Sequence, residues 1–251
     1  RIAAEGVALA LLNEKENVGV AIEVNAETDF VAQNAEFRDF VKTCGRTVME
    51  QNPADVEALL VCKASGSDQT VDAILKEKIL KIGENIKIHR FARMDGALGA
   101  YIHAEGKVAV LAKFETSPEI AAKPEFKEYA KNVCMQITAI GPQYLDEENV
   151  PADVVEHEKD ILKQQIMESG KPAAIAEKIV TGRLQKFFKE VCLVDQQYIK
   201  DDKITVREYT EQTAKALGGN IKIAGYVRFE KGEGLEKRQD NFADEVAGMI
   251  H

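Results

Sequence analysis

Val18-Gly-Val-Ala-Ile-Glu-Val-Asn25-Ala-Glu27-Thr28-Asp29-Phe30-Val31-Ala32 is where the period of the chain changes. Val18, Val20, Ile22 and Val24 alternate with Gly19, Ala21, Glu23 and Asn25, which predicts a strand with one buried face. Beyond it, Phe37, Phe40, Val41, Cys44 and Val48 recur at helical spacing, so sheet gives way to helix between Asn25 and Glu36. Thr28 is suited to cap a short helix at this junction and Asp29 to sit at its positive end. Phe30, a large ring at the turn, has two readings: a plug for the local core, or a group held out for delivery.

Working outward, Val7-Ala-Leu-Ala-Leu-Leu12, the polar turn Asn13-Glu-Lys-Glu-Asn17 and residues 18–24 predict a β-hairpin feeding the helix. The same order is written a second time. Gly99-Ala-Tyr-Ile-His103, the turn Ala104-Glu-Gly-Lys107 and the run from Val108 to Phe114 predict another hairpin, with Pro124-Glu-Phe-Lys-Glu-Tyr-Ala-Lys131 as its helix. Phe37 and Phe126 then correspond at an offset of 89 residues. The second halves agree too: residues 70–83 and 205–218 predict helices leading into Asn85-Ile-Lys-Ile88 and Asn220-Ile-Lys-Ile223, at an offset of 135.

The second copy has therefore gained 46 residues, the difference between the two offsets, and these should form an element of their own. Pro151 opens a helix-favouring run over 152–169, Gly170-Lys171-Pro172 breaks it, and a second run covers 173–193. Val155, Leu162 and Ile166 on one arm can face Ile175, Ile179, Leu184, Phe187 and Val191 on the other, as in an antiparallel coiled coil. Gly225-Tyr-Val-Arg-Phe-Glu230 reads as one more strand, stopped by Gly232-Glu-Gly234. A last helix carries Phe242, Val246 and Met249 on one face, equally suited to its own core or to a partner. The fold class is α+β: two duplicated antiparallel-sheet-plus-helix subdomains, an inserted helical hairpin and a C-terminal helix. The expected boundaries are 1–91 for the first subdomain and 92–144 with 194–234 for the second. The hairpin is expected over 145–193 and the terminal module over 235–251.

The stretches Glu23-Val-Asn-Ala-Glu-Thr-Asp-Phe-Val-Ala-Gln-Asn34, Lys81-Ile-Gly-Glu-Asn-Ile-Lys-Ile-His-Arg90 and Arg228-Phe-Glu-Lys-Gly-Glu-Gly234 resemble translation elongation factor Ts. The resemblance runs in order from Arg1-Ile-Ala-Ala-Glu-Gly6 to the segment 240–249. It implies a non-enzymatic guanine nucleotide exchange factor that binds elongation factor Tu, in its GDP-bound and nucleotide-free forms, and releases GDP and Mg2+. It further implies that Thr28, Asp29, Phe30, Val31, Ile82, Gly83, His103, Phe242 and Met249 bind that partner, and that the hairpin can form a homodimer. The family usually begins with a small helical domain, whereas this chain starts at Arg1, so either a fragment or removal of that domain is expected, with weakened affinity. An interaction scaffold without exchange activity is the alternative. Ser117 and Pro118, after Thr116, are taken as the second-repeat counterparts of Asp29 and Phe30, and no such pair stands there.

Composition narrows the classes. At 251 residues, 45% hydrophobic and 30% charged, the chain can bury a core and supply two domains. A net charge of −9, no Trp and 6% aromatics argue against direct nucleic-acid binding and for a protein partner. The longest apolar run, residues 7–12, is too short for a bilayer, so no membrane role and a cytoplasmic location are expected. Cys44, Cys62, Cys134 and Cys192 are scattered without CxxC spacing, and His89, His103, His157 and His251 are dispersed, so no cofactor or metal is expected. Walker, GxSxG and HExxH motifs are missing, and Gly232-x-Gly234 lacks the third glycine of a dinucleotide loop.

Overall fold

The computed structural model describes residues 2–15 and 17–236. The first strand, β1 (Glu5–Asn13), pairs antiparallel with β2 (Val18–Ala26) over its whole length, Glu5 opposite Ala26 and Asn13 opposite Val18. Gly6 permits this pairing, because its φ is +126° and a Cβ there would lie 2.1 Å from the Val24 carbonyl oxygen. β3 (Lys87–Asp95) joins the other edge of β2, giving the order β1-β2-β3.

Four helices lie between β2 and β3: α1 (Asp29–Gln33), α2 (Ala35–Gln51), α3 (Val56–Val61) and α4 (Val71–Ile82). Asn34 separates the first two, its Oδ1 accepting from Glu36 N at 2.8 Å and Phe37 N at 3.2 Å, so the cap sets where α2 starts. The helical stripe read from the sequence does close the core: Phe37, Phe40, Val41, Cys44 and Val48 pack with Val20, Ile22, Val24 and Leu59. Burying each of the larger side chains stabilises the fold by roughly 1.5–3 kcal/mol.

One expectation about β2 fails. All nine of its residues are buried, including Glu23 and Asn25, where one solvated face was expected. A central strand has neighbours on both edges, and here the polar face is also covered, with Glu23 Oε1 accepting from Gly232 N at 2.7 Å. Small and hydrogen-bonded residues can be buried without being apolar, so alternation did not mean exposure.

The second copy begins with β4 (Ala97–His103), β5 (Val108–Glu115), α5 (Pro118–Ala121) and α6 (Pro124–Ile140). After the helices α7 (Ala152–Glu168) and α8 (Ala173–Val191) come β6 (Gln197–Tyr198), β7 (Asp201–Thr205), α9 (Val206–Leu217) and β8 (Lys222–Glu230). The sheet order β4-β5-β8 repeats β1-β2-β3, and the sequence-predicted strands at 220–223 and 225–230 merge into β8. Gly225 does not break it, since nothing crowds that position and no positive φ is required. Phe114, Phe126 and Tyr129 form the aromatic centre, ring centroids 5.5 to 6.0 Å apart, and the Tyr129 hydroxyl meets Thr210 Oγ1 at 2.8 Å. Buried Cys44, Cys134 and Cys192 are core residues, as expected, while Cys62 is only half-buried and donates to the Ala58 carbonyl at 3.3 Å. Burial pushes the Cys44 thiol up to about 12, keeping it protonated and inert at neutral pH.

The described residues divide into two compact units, one running to Met94 with Ile102–Ala109 and residues 229–236, the other Asp95–Tyr101 with Val110–Arg228. In the second, α7 and α8 fold back on each other. Leu162 and Ile166 pack with Ala176, Ile179, Val180 and Leu184 toward the tip, and Val154 and Val155 with Phe187, Phe188 and Val191 at the base. Ile175, expected in that seam, is instead 51% exposed, because the seam ends at Ile166 and the turn at Gly170 carries Ile175 past it. Phe242 and Met249 lie outside the described residues.

Candidate partner-binding site

The turn from β2 to α1 presents its side chains in two directions. Val31 and Ala32 are buried, whereas Asp29 is exposed and Phe30 is 83% exposed. The core-plug reading of Phe30 is therefore wrong, although the capping part of it holds: Thr28 is the N-cap and its Oγ1 accepts from Val31 N at 3.4 Å. Val31, expected at the interface, anchors the helix in the core cluster instead of presenting a surface.

A carboxylate from elsewhere in the chain fixes the turn. Glu84 Oε2 accepts from the main-chain N–H groups of Glu27 and Thr28, both at 3.1 Å, and Glu84 Oε1 accepts from Thr28 Oγ1 at 2.6 Å. Glu27 returns the arrangement, its Oε1 accepting from Asn85 N at 2.7 Å. Glu84 can reach because α4 stops one residue earlier, at Gly83, in a left-handed conformation with φ +81° that a side chain would strain. Thus Ile82, half-buried against the core, and exposed Gly83 are brought beside Thr28. Next to this corner Glu36 accepts from Lys78 at 2.5 Å and Lys81 at 2.9 Å, and those ammonium groups hold its carboxyl below the usual range.

His103 closes β4 and is exposed. The turn after it is left-handed for three residues, with φ +47° at Ala104, +54° at Glu105 and +104° at Gly106. Non-glycine residues in that region cost roughly 1–2 kcal/mol each, so the turn is maintained by its surroundings. Gly106 lies against β1, where a Cβ would come within 2.7 Å of Val7 Cγ1.

The seven described residues expected at the interface, Thr28, Asp29, Phe30, Val31, Ile82, Gly83 and His103, all fall in the first compact unit. The family model described as Elongation factor TS matches residues 27–233, opening on the Glu27 turn and ending past β8. This chain belongs to the elongation factor Ts family. It is 44% identical over 251 residues to elongation factor Ts of Symbiobacterium thermophilum, covering 98% of this chain and 80% of that protein. Against the Syntrophotalea carbinolica factor the identity is 45% over 252 residues, with 99% and 82% covered. Against that of Clostridioides difficile it is 41% over 252 residues, with 100% and 82% covered. Like these elongation factor Ts proteins, it is a translation elongation factor.

The internal repeat supplies a control within this chain. Ser117 caps α5 as Thr28 caps α1, so the two caps correspond at the offset of 89, and the counterpart of Phe30 is Glu119. The correspondence of Asp29 and Phe30 with Ser117 and Pro118, expected from the sequence, is thus one residue out. The correction sharpens the contrast: Val31 and Ile120 are buried at equivalent positions, while the outward position holds a phenyl ring in one copy and a carboxylate in the other. Glu84 likewise corresponds to Gly219, where a Cβ would meet Ile120 Cδ1 at 2.5 Å, and the second corner is joined by Thr116 Oγ1 donating to the Asn220 carbonyl at 2.8 Å. The fold closes such a corner without a carboxylate latch or an exposed ring.

Glu84 was not singled out from the sequence, although it lies within the Lys81-Ile-Gly-Glu-Asn85 motif. A glutamate after a helix-stop glycine ordinarily faces water, and its three acceptor contacts depend on a turn more than fifty residues away. Glu84→Gln should lower stability by about 1–2 kcal/mol, because an amide can replace only part of the acceptance from charged oxygens. Hydrogen exchange at the Glu27 and Thr28 amides should quicken along with that loss. A thermal melt and exchange pattern matching the parent protein would show that the latch does not hold the turn.

Among the described residues no His, Cys, Asp and Glu grouping could hold a metal ion, and no helix is long and apolar enough to cross a membrane.

Proposed function

We propose that this chain is a guanine nucleotide exchange factor that binds elongation factor Tu and promotes release of GDP and Mg2+, acting by conformational linkage and not as an enzyme. The observation that carries the reading is Phe30, a phenyl ring 83% exposed on a short helix whose cap, core side and preceding turn are all tied down. Exposed aromatic rings on rigid supports suit insertion into another protein, since little ordering entropy opposes binding.

Exchange on a GTPase follows from reciprocity. A factor that weakens nucleotide binding by some ratio is itself weakened by nucleotide in the same ratio, so it must bind better to a distorted nucleotide site than to the filled one. Burying one phenyl ring supplies roughly 1.5–3 kcal/mol for holding partner side chains apart. Asp29, exposed beside it, adds a negative charge that can disturb the oxygen and water shell of the nucleotide's Mg2+. His103 and the Ile82-Gly83 corner extend the contact. Phe242 and Met249 complete it from the terminal segment, and the α7–α8 hairpin provides a surface for a second copy of the chain.

The test is release of fluorescent GDP from purified elongation factor Tu. Substoichiometric protein should accelerate release at every turnover. A complex that forms without any acceleration would sink the exchange reading.

A further inference from the structure

Two elements of the proposed partner surface are joined by a residue outside it. Arg38, half-buried on the first turns of α2, donates from Nε to the Ala32 carbonyl at 2.8 Å and from Nη2 to the Glu105 carbonyl at 2.9 Å. A weaker bond runs from Nη2 to Gln33 Oε1 at 3.4 Å. Ala32 lies on the helix that carries Asp29 and Phe30, two residues after the ring. Glu105 is the middle residue of the left-handed turn that follows His103. All of these residues belong to the same compact unit.

We propose that Arg38 is a positioning residue: by bridging the carbonyls of Ala32 and Glu105 it fixes the Phe30 helix and the His103 turn as one rigid edge. The inference rests on the exchange reading for its functional consequence but not for the clamp itself.

Three features point to this role. The guanidinium is planar, so the spacing and angle of its donors are fixed, and two acceptors bound through it are held in one geometry. Its hydrogen bonds go to main-chain oxygens and one amide side chain, so what it restrains is backbone. The turn it holds has two non-glycine residues at positive φ, a conformation that persists only where neighbours enforce it. Within that turn Lys107 N donates to the carbonyls of His103, at 3.1 Å, and Ala104, at 3.2 Å, so its amide reports on whether the turn is closed. From the other side Gly106 meets Val7 on β1, while Arg38 ties the turn toward α1.

A partner touching both Phe30 and His103 must match their separation. With the clamp, the match is made before binding. Without it, each encounter has to order the turn, which weakens association more than it slows the step after binding.

The experiment uses the whole chain with three variants. Arg38→Met keeps the aliphatic stem and removes the donors; Arg38→Lys keeps the charge but replaces the planar fork by one ammonium nitrogen, whose rotatable donors fix no spacing or angle between the two carbonyls; Arg38→Gln serves if the Met variant fails to fold. In the free protein, the Lys107 amide should exchange with solvent about tenfold faster in Arg38→Met, as expected for loss of one charge-assisted bond, while amides in the middle of α2 are unchanged. On elongation factor Tu carrying fluorescent GDP, the half-saturating concentration should rise about tenfold with the maximal release rate within about twofold of the parent. Arg38→Lys should resemble Arg38→Met in both. Unchanged protection at Lys107, or full recovery by Arg38→Lys, overturns the clamp. If the unsubstituted chain does not accelerate GDP release, the exchange reading fails alone and Lys107 protection still decides Arg38.

Discussion

Phe30→Ala should leave the melting curve almost unmoved and slow the GDP release that the chain stimulates from its partner by roughly 10–150-fold at subsaturating protein, the factor that corresponds to about 1.5–3 kcal/mol of lost ring burial. The two halves of this result come from one number. A ring 83% exposed in the free chain has little packing to lose, so truncation belongs with surface substitutions, within about 0.5 kcal/mol. A phenylalanine in the core, such as Phe37 at 0% exposure, would cost about 3–5 kcal/mol on the same change. Asp29→Ala should also fold normally and slow release less, since an exposed carboxylate acts through a screened field and not through contact area. Calorimetry and stopped-flow release on the same preparations separate the outcomes. A large loss of stability in Phe30→Ala would return the ring to the core, and parental release would remove it from the mechanism.

The outline of the fold was legible because period and punctuation agree. Strands β1, β2 and β5, helices α2, α4 and α9 and the α7–α8 hairpin announce themselves by spacing, by caps at Thr70 and Thr205, and by stops at Gly83, Gly218 and Gly170. The internal repeat was legible too, and its matching sheet orders carry the same message in space. Short elements were not: α3 and the β6–β7 pair are too brief for a period to show. At the site, Asp29 and Phe30 were marked by their motif, but exposure was undecidable, since an apolar ring at a junction fits a core as well as a partner. Glu84 and Arg38 stayed invisible for another reason. Each acts on backbone atoms distant in sequence, 56 residues for Glu84 to Thr28 and 67 for Arg38 to Glu105, and main-chain donors and acceptors leave no trace in residue identity.

The largest effect on stability should come from a residue whose alternation argued for solvent. Glu23→Ala is expected to destabilise the chain by about 3–5 kcal/mol, the range for removing one partner from a buried ion pair. The carboxylate is fully buried in the central strand, and both oxygens are engaged: Oε2 accepts from Arg90 Nε at 2.7 Å, and Oε1 from Asn25 Nδ2 at 3.0 Å and Gly232 N at 2.7 Å. His89 Nδ1 lies 3.3 Å from Oε2 without a hydrogen bond between them, so the imidazole contributes proximity without replacing a donor. Arg90 is itself committed elsewhere, through Nη2 to the Glu230 carbonyl at 3.2 Å and Glu233 at 3.3 Å, with its guanidinium 4.4 Å from the Phe229 ring centroid. Removing Glu23 therefore leaves the Nε of a half-buried cation and a buried main-chain N–H without their acceptor, and both desolvation costs fall on the folded state. Glu23→Gln should cost less, about 2 kcal/mol, because one amide oxygen can still accept while its NH2 group faces a donor. Adding Arg90→Met to Glu23→Ala should recover part of the loss, since the stranded charge goes with the side chain. At a few degrees of melting temperature per kcal/mol for a protein of this size, the fall for Glu23→Ala should be roughly 6–20 °C. A melt within about 1 °C of the parent, or strict additivity with Arg90→Met, would show that the buried carboxylate does not hold β2, β3 and the 229–233 segment together.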